Sequence, residues 1–209
     1  MRVDANAEGV SISVGGWQPM ADGDGVIQKS LFPWFCVKLD STSAPWAFHK
    51  GLPYKTISSL ELLASTIGVM FLSPAASSSS SSSGLVSVTG FTDSMVSTNV
   101  ITRGLSTSFP LCLVAMELAA QLEEARLELS LDWIPRDTNA EADALADGRR
   151  EGFADALDRS VAASDLKFLV LPSLLQEAIE FYSGPFQRTE QPKKQPKLQG
   201  NRLRDKDLW

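Results

Sequence analysis

The stretch LELSLDWIPRDTNAEADALADG, residues 127–148, constrains this chain more than any other. Leu127, Leu129, Leu131 and Trp133 alternate with Glu128, Ser130 and Asp132, a period of two that marks a strand with one buried face. Pro135 removes a backbone donor and ends that strand, and the polar residues after it turn the chain. A helix of small residues then begins near Asn139. It carries Asp143 beside the apolar positions Ala142, Leu145 and Ala146, where an acid is out of place. Either Asp143 is a solvated acid on a capped helix, or it stands there for a metal ion.

Upstream, Val10, Ile12 and Val14 alternate with Ser11 and Ser13 and read as a half-buried strand leading into Gly15-Gly16-Trp17. WFCVKL (34–39) reads as a second strand and PWAFHK (45–50) as a short third, with RVD opening the chain as a short strand of its own. From Ile57 the period becomes helical, with Leu60, Leu63, Ala64, Ile67 and Phe71 on one face and Ser58 or Ser59 as N-cap. LVSVTGF (85–91) is again strand-like. A short helix spans 94–104 and stops at Gly104, and an amphipathic helix spans 111–129 and runs into the strand described first. A meander followed by strand–helix crossovers predicts an α/β fold, a mixed sheet with helices on both faces. The seven serines at 77–83 are a linker with no capacity to build a core.

Residues 165–182 predict a helix docked on the main body, and from Ser183 the chain is rich in Pro, Gln and Lys, which predicts disorder. The expected division is a domain over 1–150, a helical extension over 151–183, and a tail over 184–209. Charge follows the same division. Residues 188–209 hold seven Lys/Arg and three Asp/Glu, whereas the other 187 hold twelve and twenty-two. An acidic body suits a metal-using site, and a basic tail suits contact with phosphates, although a merely solvated tail is the simpler reading.

Composition removes other classes. With 44% hydrophobic and 21% charged residues the chain can form one good core. No apolar run reaches the ~18 residues of a membrane span. The opening MRVDANAEG lacks the apolar core of a signal peptide, so an intracellular location, cytoplasmic or nuclear, is expected. Cys36 and Cys112 lie far apart in apolar surroundings and His49 is the one histidine, which argues against zinc.

Four acids stand at the ends of elements: Asp4 at the end of RVD, Glu61 early in the first helix, Asp93 after the 85–91 strand, and Asp143. Each has an ordinary alternative as a turn acid, a helix-dipole partner, a cap neighbour or an exposed side chain. If the first and fourth strands run parallel and adjacent, Asp4 and Asp93 emerge at one sheet edge, where ligands of open α/β sheets bind. Gathered carboxylates repel one another unless divalent cations compensate them.

The order and context of these acids resemble the RNase H-like domain of retroelement reverse transcriptases, over residues 1 to about 150. The resemblance rests on Asp4 followed by Gly15-Gly16-Trp17, on Glu61 in SSLELLAS, on Thr92-Asp93-Ser94, and above all on WIPRDTNAEADALA with Asn139 and Asp143. It implies an RNase H-like mixed five-stranded sheet and cleavage of the RNA strand of RNA–DNA hybrids. It implies that Asp4, Glu61, Asp93 and Asp143 are catalytic and hold two Mg²⁺ ions, with Mn²⁺ able to substitute, supported by Ser94 and Asn139. Ala140, Ala142, Ala144 and Ala146 then keep the last helix slim where it brings Asp143 back to the sheet. The partners implied are an RNA–DNA hybrid and a fused or separate reverse transcriptase domain, with no membrane. The flavour of the motifs suggests a retroelement polyprotein, of the DIRS-like kind among others, and a fragment shortened before its first strand. Two departures stand out. The loop that carries a histidine in many members is Arg136-Asp137-Thr138 here, and between Asp93 and Arg136 the only bases are Arg103 and Arg126. A catalytically inactive module of the same fold, serving structure or interaction or encoded by a pseudogene, is the competing reading.

Overall fold

The computed structural model describes residues 1–19, 29–72 and 84–183. Its centre is a strand, β1 (Arg2–Glu8), hydrogen-bonded on both sides. β2 (Ser11–Trp17) folds back on it through the turn at Gly9, placing Asp4 opposite Gly15, and β3 (Trp34–Leu39) pairs antiparallel with β2. On the other side β4 (Val86–Thr92) runs parallel to β1, and β5 (Leu127–Trp133) parallel to β4. The sheet order is β3-β2-β1-β4-β5. This is the mixed five-stranded sheet that the sequence predicts, with β1 and β4 parallel neighbours.

Helices cover both faces. α1 (Ile57–Leu72) lies on the face of Val3, which touches the helix at Gly68. α2 (Met95–Arg103) and α3 (Leu111–Ala125) connect β4 to β5, and α3 packs against α1. α1 is buried on almost every side, including Leu60, Leu62, Leu63, Ile67 and Val69. The run Pro53–Leu72 is long and apolar enough to cross a membrane, and most of it is spent in the core of this fold. On the opposite face α4 (Ala140–Ala146) lies directly on β2. A Cβ at Gly15 would sit 2.5 Å from the Ala146 nitrogen, so only glycine lets the helix approach this far. Ala142, Leu145 and Ala146 face the sheet, the two alanines as their small size predicts, while Ala140 is exposed.

The C-terminal segment closes the β3 edge. Arg159 N donates to Trp34 O at 2.8 Å, Cys36 N to Ser160 Oγ at 2.8 Å, and Trp34 Nε1 to Ala154 O at 2.9 Å. Covering an edge in this way removes a template for aggregation. Trp17, Phe32, Trp34 and Phe153 form a small aromatic core there with Ala142 and Leu145. α5 (Leu171–Ser183) is anchored by Glu117 of α3, which is fully buried. Its carboxylate accepts Leu169 N at 2.9 Å and Val170 N and Leu171 N at 2.8 Å each, with Gln121 Nε2 at 2.7 Å. The charge sits where the first free amides of α5 need an acceptor.

Several expectations are corrected. Residues 45–50 are not a strand: Pro45–Phe48 is a short 3-10 helix, with Pro45 at its first position, where a missing N–H costs nothing. The third strand of the meander is β3, because the opening strand runs from Arg2 to Glu8 instead of ending at Asp4, which lies inside it. Val10 belongs to the hairpin turn and is exposed. Ser58 and Ser59 lie inside α1, which continues from a 3-10 turn at Pro53–Thr56 and is not capped by either. α3 ends at Ala125, where Arg126 adopts a left-handed conformation, so residues 127–129 belong wholly to β5. The C-terminal helix starts at Leu171 and not at 165. Trp133, expected on the buried face of β5, is half exposed. The serines at 77–83 and the tail over 184–209 lie outside the described residues.

Gly15→Ala should destabilise the chain by roughly 1–3 kcal/mol, because the clash is with backbone that cannot rotate away. Glu117→Ala should cost about 3 kcal/mol by orphaning three amides, that of Leu171 buried and the other two partly so, and hydrogen exchange should quicken first at 169–171. Urea denaturation of both variants checks the magnitudes, and unchanged midpoints would contradict this account of the packing.

Candidate metal centre

Three acids meet at one edge of the sheet. β1 carries Asp4 in its interior, α1 carries Glu61 in its second turn, and Asp93 follows the last residue of β4. One carboxylate oxygen from each lies within 4.8 Å of the other two. Asp93 is placed by its neighbours: Ser94 N donates to Thr92 Oγ1 at 3.1 Å, and Ser94 Oγ accepts Ser97 N at 3.2 Å as the N-cap of α2. The hydroxyl of Ser94 also hydrogen-bonds Glu61. Ser94 therefore links the start of α2 to Glu61 of α1.

The electrostatics of this group are unfavourable as it stands. Asp4 is only 6% exposed and accepts a single backbone bond, from Ala5 N at 2.8 Å. Burial, and then the charge of Asp93, push its carboxyl up from 3.8 to about 7, with smaller contributions from Asp143 and Glu61. Burial also raises Glu61, against the Ser94 hydrogen bond, with Asp93 adding to the rise and Arg136 opposing it. Asp93 Oδ1 is buried without a hydrogen-bond partner. A buried oxygen without a partner and three crowded carboxylates are both relieved by a divalent cation, and an oxygen-only donor set suits a hard ion. The residues present therefore fit such an ion.

Asp143 stands beside this triad and is not part of it. α4 brings it near enough to raise Asp4, but its own carboxylate is taken by Arg136 Nη2 at 2.7 Å and Arg149 Nη2 at 3.5 Å. Arg136 in turn is held more firmly charged by Asp143, Asp4 and Asp93. Asn139 is fully buried at the start of α4; its Nδ2 donates to Val3 O at 3.1 Å and its Oδ1 has no partner. That bond ties α4 to the backbone of β1 one residue before Asp4. The two arginines that neutralise Asp143 escaped the sequence reading. Their only signal was the flanking of one acid by bases seven residues before and six after.

No protein-family model matches this chain, and no curated protein matches it. Among solved structures, the RNase H1 of the halophilic archaeon Halobacterium salinarum NRC-1 is similar at 19% identity and a TM-score of 0.38, covering 71% of this chain and 97% of that one. What defines the class of this chain is its own sheet order and the acids at the sheet edge: an α/β protein with a mixed five-stranded sheet and an acidic cluster.

Between pH 3.8 and about 7 the folded chain keeps on Asp4 a proton that the unfolded chain has released, so metal-free stability should fall as pH rises through that window. Asp4→Asn keeps the Ala5 contact and removes the charge. In EDTA its Tm should exceed the wild type by about 5 °C at pH 8 and by little at pH 4. Thermal unfolding at both pH values tests this, and a variant less stable than wild type at pH 8 would refute it.

Proposed function

We propose that this chain is an RNase H-type endonuclease that cuts the RNA strand of RNA–DNA hybrids, with Asp4, Glu61, Asp93 and Asp143 as its catalytic acids. The observation that carries the reading is the convergence of Asp4, Glu61 and Asp93 within 4.8 Å at the sheet edge. The acids would hold two Mg²⁺ ions, or Mn²⁺ in their place. Bound there, such ions supply an activated water and stabilise the oxygen that leaves the phosphodiester. The chain's own residues prepare the site. The Ala5 amide orients Asp4, Ser94 positions Glu61, and Asn139 fixes α4 to β1. Asp143 completes the set by exchanging its arginine partners for a cation. The 2′-hydroxyls distinguish the strand to be cut. The working unit is 1–150, with 151–183 as an extension braced on β3 and α3 and 184–209 as a basic tail. Its origin is a retroelement reverse transcriptase polyprotein, the polymerase domain being its fused or separate partner.

The second reading, a catalytically inactive module, is favoured by the double ion pairing of Asp143, which leaves the fourth acid neutralised inside the chain. Cleavage of a labelled RNA–DNA hybrid with Mg²⁺ or Mn²⁺ separates the two. The nuclease reading expects products from the RNA strand alone, lost in Asp93→Asn. Equal cleavage by wild type and variant, or none by folded wild type, goes against it, the latter in favour of the inactive module.

A further inference from the structure

Trp133 ends β5 on the same face as Leu127, Leu129 and Leu131, yet those three are buried and Trp133 is 50% exposed. The other described tryptophans, Trp17, Trp34 and Trp46, are all buried. An indole left half in water forgoes much of the stabilisation that burial would supply. Its polar end is not idle. Nε1 donates to the backbone carbonyl of Asp93 at 3.0 Å. The bond ties the ring to a residue of the acid cluster and limits its swing. With the N–H satisfied, most of what Trp133 offers outward is apolar ring surface. Met95 and Val96, which open α2 immediately after Asp93 and Ser94, are exposed as well.

Charge supplies little grip on nucleic acid along this flank. Arg136 is engaged by Asp143, and Asp132 beside Trp133 is itself exposed and acidic. A polyanion brought to the acids gains from contacts that are not ionic, even where a cation on Asp143 frees Arg136. A phosphodiester seated at Asp4, Glu61 and Asp93 brings the adjoining nucleotide close to the backbone of Asp93, where the indole is tied. A-form duplexes display ribose along a wide, shallow minor groove while their bases stay stacked, so a flat apolar surface meets sugar before it meets base.

We propose that Trp133 is a substrate-positioning residue, whose exposed indole packs against the ribose flanking the scissile phosphodiester of the hybrid. The proposal rests on the reading of the acid cluster as the centre that cuts RNA in a hybrid. Because Trp133 bonds the backbone carbonyl of Asp93 and not its carboxylate, its loss should act on substrate binding and leave cation binding intact.

The test uses the full chain with Trp133→Phe and Trp133→Ala. Hybrid binding is read by fluorescence anisotropy in EDTA at low salt, Mn²⁺ binding by titration calorimetry, and folding by Tm. Trp133→Ala should bind hybrid roughly tenfold more weakly, with Trp133→Phe in between. Tm should fall only slightly, Mn²⁺ binding should stay unchanged, and under cleavage conditions KM should rise with little change in kcat. Undiminished hybrid binding by Trp133→Ala overturns the proposal. A fall in Tm or in Mn²⁺ binding that accounts for the loss also overturns it, since the indole would then be a strut for Asp93. A loss seen with single-stranded RNA and not with hybrid overturns the assignment to ribose in a groove. A wild type that binds hybrid but no Mn²⁺ defeats the metal centre and leaves the ribose contact standing, whereas one that binds no hybrid defeats both.

Discussion

Asp4 sets the terms for the rest of the molecule. It is a carboxylate inside a central strand, hydrogen-bonded on both sides, almost wholly buried, and brought against two more carboxylates. Nothing in folding rewards that arrangement. Desolvation and like charge both oppose it, and together they hold Asp4 partly protonated near neutral pH. A fold that tolerates such a group spends stability elsewhere to do so, as proteins commonly do at functional sites.

The compensations can be traced. α1, buried on nearly every side, supplies the apolar mass of the core and delivers Glu61 to the sheet edge. Gly15 gives up a side chain so that α4 can lie on β2, and Asn139 then locks that helix to β1 beside Asp4. Arg136 and Arg149 neutralise the fourth acid from within the chain. The result is graded: three carboxylates left to repel one another, and one paired with two partly exposed arginines. Exposed ion pairs are weak, so this pairing costs little to break. Glu117, buried and fully bonded, shows what the same fold does with an acid that is purely structural.

The sequence carried much of this and missed the rest for identifiable reasons. The Ser94 cap, the Gly104 stop and the break at Pro135 were legible because each is local, decided by residues within a turn of one another. The order of the four acids was legible through the resemblance, and three of them meet as it implies. The extent of β1 was not, because Ala5 and Ala7, although they alternate with Asn6 and Glu8, are small side chains of low strand preference and give only a faint pattern. A strand paired on both sides is held by its backbone, and its side-chain pattern is free to be weak. PWAF misled because two aromatics and an alanine fit a buried strand as well as a buried 3-10 turn, and Pro45 decides between them only once its position is seen. The anchoring of α5 by Glu117 was invisible because its backbone partners lie more than fifty residues away, and the pairing of Asp143 because nothing in sequence says which way Arg136 will reach.

The central claim is that Asp4, Glu61 and Asp93 are gathered for a divalent cation. Calorimetric titration of Mn²⁺ into the metal-free chain at pH 8, beside Glu61→Gln, tests it most directly. Saturable binding to the wild type that is abolished or sharply weakened in the variant is the expected result. Absence of binding, or binding indifferent to Glu61, would contradict the account and leave the acid cluster without a reason for its cost.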